Sequence, residues 1–475
     1  MKLFGTDGIR GKFNEPPISF DELVKIGYSF VKSLFGNDQG KVLICNDGRE
    51  SHKVIESALS IGIEQQGSKV IFIGLYPTPA LSILLNSSPS TSGLCAGVQI
   101  TASHNPYYDN GLKFFDNNGY KINDHMQNLI EENYLSYTHE IEKKDYKDKE
   151  YNYTDHFNKQ YIDYIDDYFR LKMDGVDYPK EKFNILVDCA NGATSEIITR
   201  IFKDSFIKII PIHNEPSGKN INENCGATNT SIIKEFISDF NNIEVKSSDD
   251  NKNHTIKDLK INLGVAFDGD GDRAIFISPL GVELNGDDIL YVLSLFHKKY
   301  NSLNSVVGTK MTNHGIQKLY KDNDIKFIET DVGDKNVLKE MIRTNSDFGG
   351  ESSGHILVPV FNGLYVGDSI ITLINLLEVI FKQKRTLDDL KKEIISIPSK
   401  LFNIKVQNKN NFLVDADNIK ILDKLKKLIG DQGRLLLRPS GTENLIRLLI
   451  EHKDANQIEI LYKYFYDNIN KNTIV

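Results

Sequence analysis

"KVLICNDGRESHKVIESALSIGIEQQGSKVIFIG", residues 41–74, contains the pattern that decides the fold. The apolar run 41–47 predicts a strand, the helical pattern over 51–66 predicts a helix, and the apolar run 69–74 predicts a second strand. A strand–helix–strand crossover of this length joins neighbouring strands of a parallel or mixed sheet and covers one face with the helix. This stretch therefore predicts an α/β domain.

The same order occurs twice more along the chain, which predicts three related α/β domains in tandem. The repeats are "FNILVDC" (183–189) with a helix near 194–202 and "IKIIPI" (207–212), and "SVVGTKM" (305–311) with a helix near 315–322 and "IKFIET" (325–330). The last part of the chain mixes strands and helices in another order, which indicates a smaller α+β domain. We place the domains at 1–145, 153–281, 282–383 and 384–475.

Two polar stretches separate these patterns. The charged segment 138–155 is typical of a domain junction, and "SSDDNKNHTIKD" (247–258) is typical of a surface loop inserted before a strand. Both are interpreted as solvated surface.

The 475-residue chain is acidic, with a formal net charge of −8 and a sequence pI near 5.8. This balance argues against general nucleic-acid binding, although a local site for an anionic substrate is compatible with it. No run approaches the roughly 20 apolar residues that span a bilayer, and the N-terminus lacks the apolar segment of a signal peptide. Widely spaced cysteines favour free thiols in a reducing compartment. We therefore expect a cytoplasmic protein with no membrane or nucleic-acid partner.

Three aspartates alternate with glycines directly after an apolar strand, in "GVAFDGDGDRAIF". Asp268, Asp270 and Asp272 would repel one another unless a hard divalent cation lies between them, and Mg²⁺ suits a small site that leaves room for a phosphate oxygen. A calcium EF-hand is excluded because its loop needs Gly at position six and Glu at position twelve. The alternative is a plain aspartate-rich turn. We predict a Mg²⁺ site, with Arg273 beside it to bind a phosphate.

A second polar loop, "TASHNP" (101–106), follows a predicted strand that ends at Ile100. Ser103 becomes a nucleophile only if a metal or a cationic neighbour activates it. His104 and Lys113, the latter on the next predicted strand, would provide such neighbours. The alternatives are that Ser103 caps a helix, that His104 is a turn residue and that Lys113 is a solvated surface lysine.

Three further loops carry groups that bind hydroxyls or anions. "FGGESSGH" (348–355) offers Glu351, Ser353 and His355 to a polyol such as a sugar, or is simply a polar turn. "FGTDGIRG" (4–11) is interpreted as a glycine-rich loop that presents Arg10 to an anion, with a plain surface turn as the alternative. "RPSGTENLIR" (438–447) resembles an anion nest, with Arg447 either adding charge or pointing outward; the nest residues are Arg438, Ser440, Gly441 and Thr442.

Together these five loops resemble, in order, the loops of the α-D-phosphohexomutase superfamily. "TASHNP" resembles its phosphoserine loop, "DGDGDR" its metal loop, "GESSGH" its sugar-binding loop and "RPSGTE" its phosphate-binding loop. "DCANGATS", "GKNINENCGATN" and "VGDKNVLKEM" also match one branch of it, so the resemblance covers nearly the whole chain. Asn444 and Lys335 depart from the usual pattern, but neither departure touches the serine or the aspartates.

The resemblance implies four domains arranged around a central cleft and assigns roles to the loops. Ser103 would carry the transferred phosphoryl group, and its phosphate would hold Mg²⁺ together with the three aspartates. The other transfer-site residues would be Arg10, His104, Lys113 and Arg273. Glu351 and Ser353 would bind the sugar, and we add His355 to this group from its place in the same loop. The phosphate that is not transferred would be bound by Arg438, Ser440, Gly441 and Thr442, and we add Arg447 to this group from its place in the same loop.

The implied activity is a mutase that interconverts the 6-phosphate and 1-phosphate of glucosamine through a 1,6-bisphosphate, and so supplies cell-wall precursors. Glucosamine or glucose 1,6-bisphosphate would act as activator, and the protein would be a monomer or a homodimer. Alternatives are a mutase for mannose or glucose phosphates, a phosphoserine-dependent phosphatase and a non-catalytic binding module. The general base is left open between Lys113, His104 and His355.

Overall fold

The computed structural model describes residues 2–5, 7–87, 95–141, 154–203, 205–242, 260–440 and 444–475. Most of the predicted junction at 138–155 and all of the predicted insertion at 247–258 lie outside these residues. No helix among the described residues is both long and apolar enough to cross a membrane.

The first sheet is built from the N-terminal part of the chain. Its strands and helices are β1 (Ile9–Lys12), α1 (Phe20–Phe35), β2 (Lys41–Asn46), α2 (His52–Gln65), β3 (Lys69–Leu75), α3 (Thr78–Ser87), β4 (Cys95–Ile100), β5 (Asp109–Phe115) and α4 (Asp124–Leu135). Strand β2 pairs in parallel with β3 and β4, whereas β5 runs antiparallel to β4 and β1 antiparallel to β5. The predicted strand–helix–strand unit is thus confirmed.

The second sheet follows a long connecting helix. The elements are α5 (Thr154–Lys172), β6 (Phe183–Asp188), β7 (Ile207–Ile212), α6 (Ser231–Asn242), β8 (Leu263–Phe267), β9 (Ala274–Ile277) and β10 (Glu283–Leu284). The helix predicted near 194–202 is wrong, because turns occupy this segment. Glycine at 192 and a backbone hydrogen bond from Ala193 N to Gly269 O fold the segment tightly against the aspartate loop, residues 268–272, which favours turns over a regular helix.

The third sheet is framed by two buried helices. The elements are α7 (Gly286–Tyr300), β11 (Val306–Thr309), α8 (His314–Asp322), β12 (Phe327–Thr330), α9 (Asp334–Thr344), β13 (Phe348–Gly350), β14 (Ile356–Pro359), β15 (Tyr365–Gly367), α10 (Ser369–Gln383) and α11 (Leu387–Lys391). Helix α10 is buried along most of its length, and Asp368 caps its start by accepting hydrogen bonds from Ile370 N and Ile371 N.

The three sheets share one strand arrangement, which confirms the predicted tandem repeat. Their orders are β3-β2-β4-β5-β1, β7-β6-β8-β9-β10 and β12-β11-β13-β14-β15. In each, a parallel pair is followed by two antiparallel strands. In the second and third sheets the last strand of this order, β10 or β15, directly follows its neighbour along the chain. In the first sheet the corresponding strand is β1, which comes from the start of the chain.

By internal packing the described chain divides into two compact units, residues 1–309 with 328–391 and residues 310–327 with 392–475. The second unit contains the smaller α+β domain with the antiparallel sheet order β16-β18-β17. Its elements are β16 (Ser399–Lys405), α12 (Lys409–Val414), α13 (Ala416–Ile429), β17 (Gly433–Pro439), β18 (Leu445–His452) and α14 (Ala455–Asn468). This unit also includes helix α8.

Replacing Gly62 by alanine is expected to lower the free energy of unfolding of the first domain by about 1–3 kcal/mol. Helices α1 and α2 pack so closely that a Cβ at Gly62 would overlap the carbonyl of Val24 and lie 2.6 Å from Tyr28 N. The backbone atoms of a packed helix cannot move aside in the way that the end of a flexible side chain can. Thermal denaturation of Gly62→Ala should show the loss, whereas Glu64→Ala, exposed on the same helix, should melt close to wild type.

Candidate active site

Two of the polar loops lie where parallel strands end. Strand β4 leads into Thr101–Ser103, and β8 leads into Asp268. The carboxyl ends of parallel strands are where α/β sheets usually bind ligands, because loops from neighbouring strands meet there. In this chain the loops of the first and second sheets converge on one point.

The three predicted aspartates form one cluster. Asp268, Asp270 and Asp272 are buried, and each offers a carboxylate oxygen within 4.8 Å of the others. Gly271 permits the tight turn between them, since its φ is +71°. Burial, together with Asp272 and Asp270, raises the pKa of Asp268 well above its usual value, so the cluster holds more negative charge than the fold easily accommodates.

Lys113 supplies the main compensating charge. Its Nζ lies 2.7 Å from Asp270 Oδ2, 2.8 Å from Asp272 Oδ2 and 3.3 Å from Asp7 Oδ2. Burial lowers the pKa of Lys113, but the three carboxylates outweigh it and hold the pKa well above its usual value. The alternative of a solvated surface lysine is excluded, because only 2% of the side chain is exposed.

The aspartate cluster fits a divalent cation. Asp270 Oδ1 is buried and has no hydrogen-bond partner among the described residues, so a ligand oxygen is left for a cation. Arg273 Nε is 3.8 Å from Asp268 Oδ2 and 3.7 Å from Asp272 Oδ1, too long to satisfy either carboxylate by a hydrogen bond. Hard carboxylate oxygens in a small site suit Mg²⁺.

The serine loop, residues 101–106, reaches this cluster. Ser103 Oγ donates to Asp268 Oδ2 at 2.8 Å although 165 residues separate the two in sequence. Ser103 is fully buried with φ +52°, a left-handed conformation that a non-glycine residue adopts only where its surroundings impose it. Thr101 Oγ1 accepts a hydrogen bond from Ser103 N at 2.7 Å and helps to hold this turn. Ser103 does not cap a helix, which excludes that alternative.

His104 lies beside the hydroxyl, with Nδ1 3.4 Å from Ser103 Oγ. Burial, and then the positive charges of Arg273 and Arg10, lower the pKa of His104 to about 4. The imidazole is therefore neutral at physiological pH while Ser103 carries no phosphate.

The His104 ring signals are expected to show no titration midpoint between about pH 5.5 and 8 in the unphosphorylated protein. A phosphate on Ser103 would bring negative charge to the ring, so the pKa should rise toward neutrality in the phosphorylated form. NMR titration of both forms measures this, with His104→Gln assigning the signals. A midpoint near 6.5 without phosphate would contradict the expectation.

Arg10 lies on strand β1, so the prediction that a loop presents it is wrong. The residues after Gly8 pair with β5, and this pairing draws the segment into the sheet. Arg10 Nη2 donates to Asp7 Oδ2 at 2.8 Å and Nη1 to Ala102 O at 3.5 Å. The guanidinium therefore lies next to the serine loop.

The third loop is placed beside the aspartates by His355. Its Nδ1 lies 3.5 Å from Asp272 Oδ1. Burial lowers the pKa of His355, but Asp272 outweighs this effect and raises it. Glu351 Oε1 accepts a hydrogen bond from Gly333 N at 2.9 Å, and Ser353 is exposed.

The fourth loop lies in the second unit. Arg438 and Arg447 are direct partners across β17 and β18, so their side chains share one face of the sheet. Ser440 is buried next to them and its carbonyl accepts a hydrogen bond from Lys409 Nζ at 2.8 Å. Gly441 and Thr442, the other predicted members, lie outside the described residues.

Sequence reasoning missed several charged groups of this site, among them Asp7, which pairs with Arg10, Lys113 and Lys121. Lys121 Nζ joins Asp7 Oδ1 and Asp334 Oδ2, each at 2.6 Å, and no motif marked it. Arg49 is fully buried beside Asp47, and its guanidinium holds the serine loop. The only signal was the "NDGRE" stretch that follows β2, where a charged pair ends a buried strand.

Four family models match the chain in order. They describe phosphoglucomutase/phosphomannomutase α/β/α domain I at residues 1–140, domain II at 159–281, domain III at 285–397 and the C-terminal domain at 401–466. These matches agree with the three mixed sheets and the smaller fourth domain.

Known proteins match over nearly the full length. A phosphoglucosamine mutase of Ruthia magnifica subsp. Calyptogena magnifica is 37% identical over 95% of this chain and 96% of its own. That of Buchnera aphidicola subsp. Baizongia pistaciae is 35% identical over 99% and 97%. The crystal structure of a phosphoglucomutase/phosphomannomutase family protein from Burkholderia thailandensis superimposes with a TM-score of 0.74 at 18% identity, covering 98% of this chain and 96% of that one.

Proposed function

The chain belongs to the phosphoglucomutase/phosphomannomutase family, and we propose from this that it interconverts glucosamine 6-phosphate and glucosamine 1-phosphate. It is an intramolecular phosphotransferase of the isomerase class. The substrate assignment rests on relatives of 33–37% identity over nearly the whole chain that are phosphoglucosamine mutases. The observation that carries the chemistry is the Ser103 hydroxyl, 2.8 Å from a carboxylate of the buried aspartate cluster.

Ser103 carries the phosphoryl group in both directions. The Oγ–P bond of phosphoserine breaks as a bond forms between phosphorus and O1 of glucosamine 6-phosphate, which gives the 1,6-bisphosphate. The intermediate turns over, its O6–P bond breaks, and the Oγ–P bond forms again as glucosamine 1-phosphate leaves. Such transfers depend mainly on alignment and on neutralising the charge of the transferred group.

The residues around Ser103 supply that neutralisation. Asp268, Asp270, Asp272 and a phosphate on Ser103 would hold Mg²⁺, which would neutralise charge on the phosphoryl oxygens. Arg10, which contacts Ala102 O, and Arg273, which lies near Asp268 and Asp272, would bind phosphoryl oxygens. Before a phosphate arrives, the hydroxyl is already hydrogen-bonded within the cluster, so little rearrangement is needed.

We assign to His104 the role of the general base, which takes the proton from the sugar hydroxyl that attacks phosphorus. Lys113 is held protonated by the carboxylates around it, because they raise its pKa. His355 is also shifted toward its protonated form by Asp272. His104 is the neutral imidazole next to Ser103 Oγ, and the negative charge of a phosphate would bring its pKa nearer to the working pH, as an efficient base requires.

The remaining predicted residues serve the sugar and its second phosphate in this proposal. Glu351, Ser353 and His355 bind sugar hydroxyls, and a second anion-binding group retains the phosphate that is not being transferred. That group consists of Arg438, Ser440, Gly441, Thr442 and Arg447. A second anion group favours a mutase over a phosphatase, because hydrolysis needs only one phosphate position.

The test combines mass and activity. After incubation with glucose 1,6-bisphosphate, which we expect to act as activator, intact-mass analysis should show one added phosphoryl group, and glucosamine 6-phosphate should then be converted to the 1-phosphate. Preference for mannose or glucose phosphate in competition would refute the substrate assignment alone. Release of inorganic phosphate at the rate of total turnover would show a phosphatase instead. Native mass spectrometry decides between a monomer and a homodimer.

A further inference from the structure

Two backbone carbonyls of the serine loop each receive hydrogen bonds from two side chains. Arg49 Nη2 donates to Ser103 O and to Asn105 O, both at 2.9 Å. Asn222 Nδ2 donates to the same two oxygens, at 2.9 and 3.3 Å. We propose that Asn222, acting with Arg49, is a positioning residue that holds the serine loop against the aspartate loop for phosphoryl transfer.

Arg49 holds the loop from within the first domain. It is fully buried, its Nε donates to Asp47 Oδ2 at 2.9 Å, and its Nη1 donates to Pro106 O and, at 3.0 Å, to Asp109 O. A planar guanidinium with fixed donors can serve several carbonyls at once, whereas an ammonium cannot reproduce that fork. Arg49 therefore determines the path of the loop as far as Asp109.

Asn222 holds the same oxygens from the second domain. It lies in "GKNINENCGATN", a stretch that the proposed chemistry does not otherwise use. Its own backbone is fixed, because Asn222 N donates to Ala190 O at 2.9 Å. Asp188, the last residue of strand β6, accepts hydrogen bonds from Ala190 N and Gly226 N, each at 2.9 Å, and so ties the stretch at Gly226 to the turn that follows β6.

The Asn222 amide also contacts the aspartate loop. A Cβ added at Gly269, between Asp268 and Asp270, would lie 2.7 Å from Asn222 Nδ2 and 2.8 Å from Ser103 O. There is thus no space for one further carbon where the serine loop, the Asn222 amide and the aspartate loop pack together. Because Asn222 fills this junction, it controls the distance between Ser103 Oγ and Asp268. It does so without contacting the Ser103 hydroxyl that reacts.

The arrangement explains how Ser103 keeps its left-handed backbone. Such a conformation is unfavourable for a non-glycine residue unless neighbouring groups compensate. Four hydrogen bonds, two to Ser103 O and two to Asn105 O, supply that compensation. Loss of the Asn222 contacts should let the hydroxyl move away from its transfer position while the substrate sites stay in place.

This inference rests on the proposed mutase function, and its test compares two matched variants. Asn222→Gly removes the amide but keeps the left-handed backbone, since φ is +57° and glycine tolerates it. Asn224→Gly is the control, because Asn224 has φ +54° in the same stretch but is exposed. We expect kcat to fall about 10- to 100-fold in Asn222→Gly, since misplacement of a reacting group by about 1 Å has an effect of this size.

Further readouts separate positioning from general destabilisation. The KM for glucosamine 6-phosphate should stay within twofold of wild type, and phosphorylation of Ser103 by glucose 1,6-bisphosphate should slow by the same factor as kcat. Equal kcat values, per folded molecule, for Asn222→Gly and Asn224→Gly would overturn the proposal. An inactive wild type that takes up no phosphate would instead refute the mutase function.

Arg49→Lys provides an independent check, because it keeps the charge and removes the fork. As Arg49 and Asn222 serve the same two oxygens, the double variant should lose less activity than the product of the two single losses. A loss equal to that product would show that the two residues act independently and would count against a shared positioning role.

Discussion

Ser103→Ala is expected to lower mutase turnover by about 10⁴-fold or more, because removal of the group that carries the phosphoryl leaves no covalent route. The variant should also gain no mass on incubation with glucose 1,6-bisphosphate, whereas the wild type should gain one phosphoryl group. The fold should survive, since Ser103 Oγ makes its close hydrogen bond only to the already crowded Asp268. Coupled assay of 1-phosphate formation and intact-mass analysis measure both effects.

Ser60→Ala is the matched control for this variant. Ser60 is also fully buried, but it lies on helix α2 and donates to Glu56 O at 2.6 Å. It should retain wild-type turnover and phosphate uptake. If Ser103→Ala kept more than a tenth of the activity, a direct phosphoserine mechanism would be untenable and another phosphoryl acceptor would have to be sought.

Asp268→Asn is expected to lower turnover by about 10³-fold or more and, at the same time, to stabilise the metal-free protein. The activity falls because one of three carboxylates that would hold Mg²⁺ is lost. The stability rises because folding raises the pKa of Asp268, through burial and repulsion from Asp272 and Asp270. A carboxyl whose pKa is raised by folding destabilises the fold as the pH rises above its unfolded value, and the amide removes this effect.

Thermal denaturation at neutral pH with EDTA and with Mg²⁺ separates the two effects. Wild type should melt lower than Asp268→Asn in EDTA and should gain stability on adding Mg²⁺, since a ligand that binds only the folded state stabilises it. The variant should gain much less. A variant less stable than wild type in EDTA would show that Asp268 contributes more through its hydrogen bonds to Asp272 N and Arg273 N than it loses by repulsion.

Much of the architecture could be predicted from local patterns. The apolar runs before residues 47, 189 and 311 predicted buried strands, and three repeats of one order predicted three related sheets. Prediction was wrong where contacts distant in sequence decide the local structure. Arg10 joins a strand because β5 offers an unpaired edge, and residues 194–202 form turns because they fold against the aspartate loop. Neither partner is visible within a window of local sequence.

The candidate site shows the same division. Ser103, Lys113 and the three aspartates stand in motifs whose residue types are unusual beside apolar strands, so their chemistry was predictable. Arg49, Lys121 and Asn222 were not predictable as site residues, because each acts through partners on other segments. An arginine or asparagine in a polar turn is ordinarily solvated, and apart from the "NDGRE" stretch around Arg49 no neighbouring residue reveals that these side chains will be enclosed by two loops.

The sequence by itself determined the order of strands and helices, the tandem repeat and the chemical groups available, since periodicity and residue type are local properties. The tertiary structure alone decided that Ser103 and Asp268 lie 2.8 Å apart, that Lys113 is buried among carboxylates, and that Asn222 spans the two loops. Distances and pKa values depend on burial and on neighbours from distant segments, and only the assembled sheets bring these together.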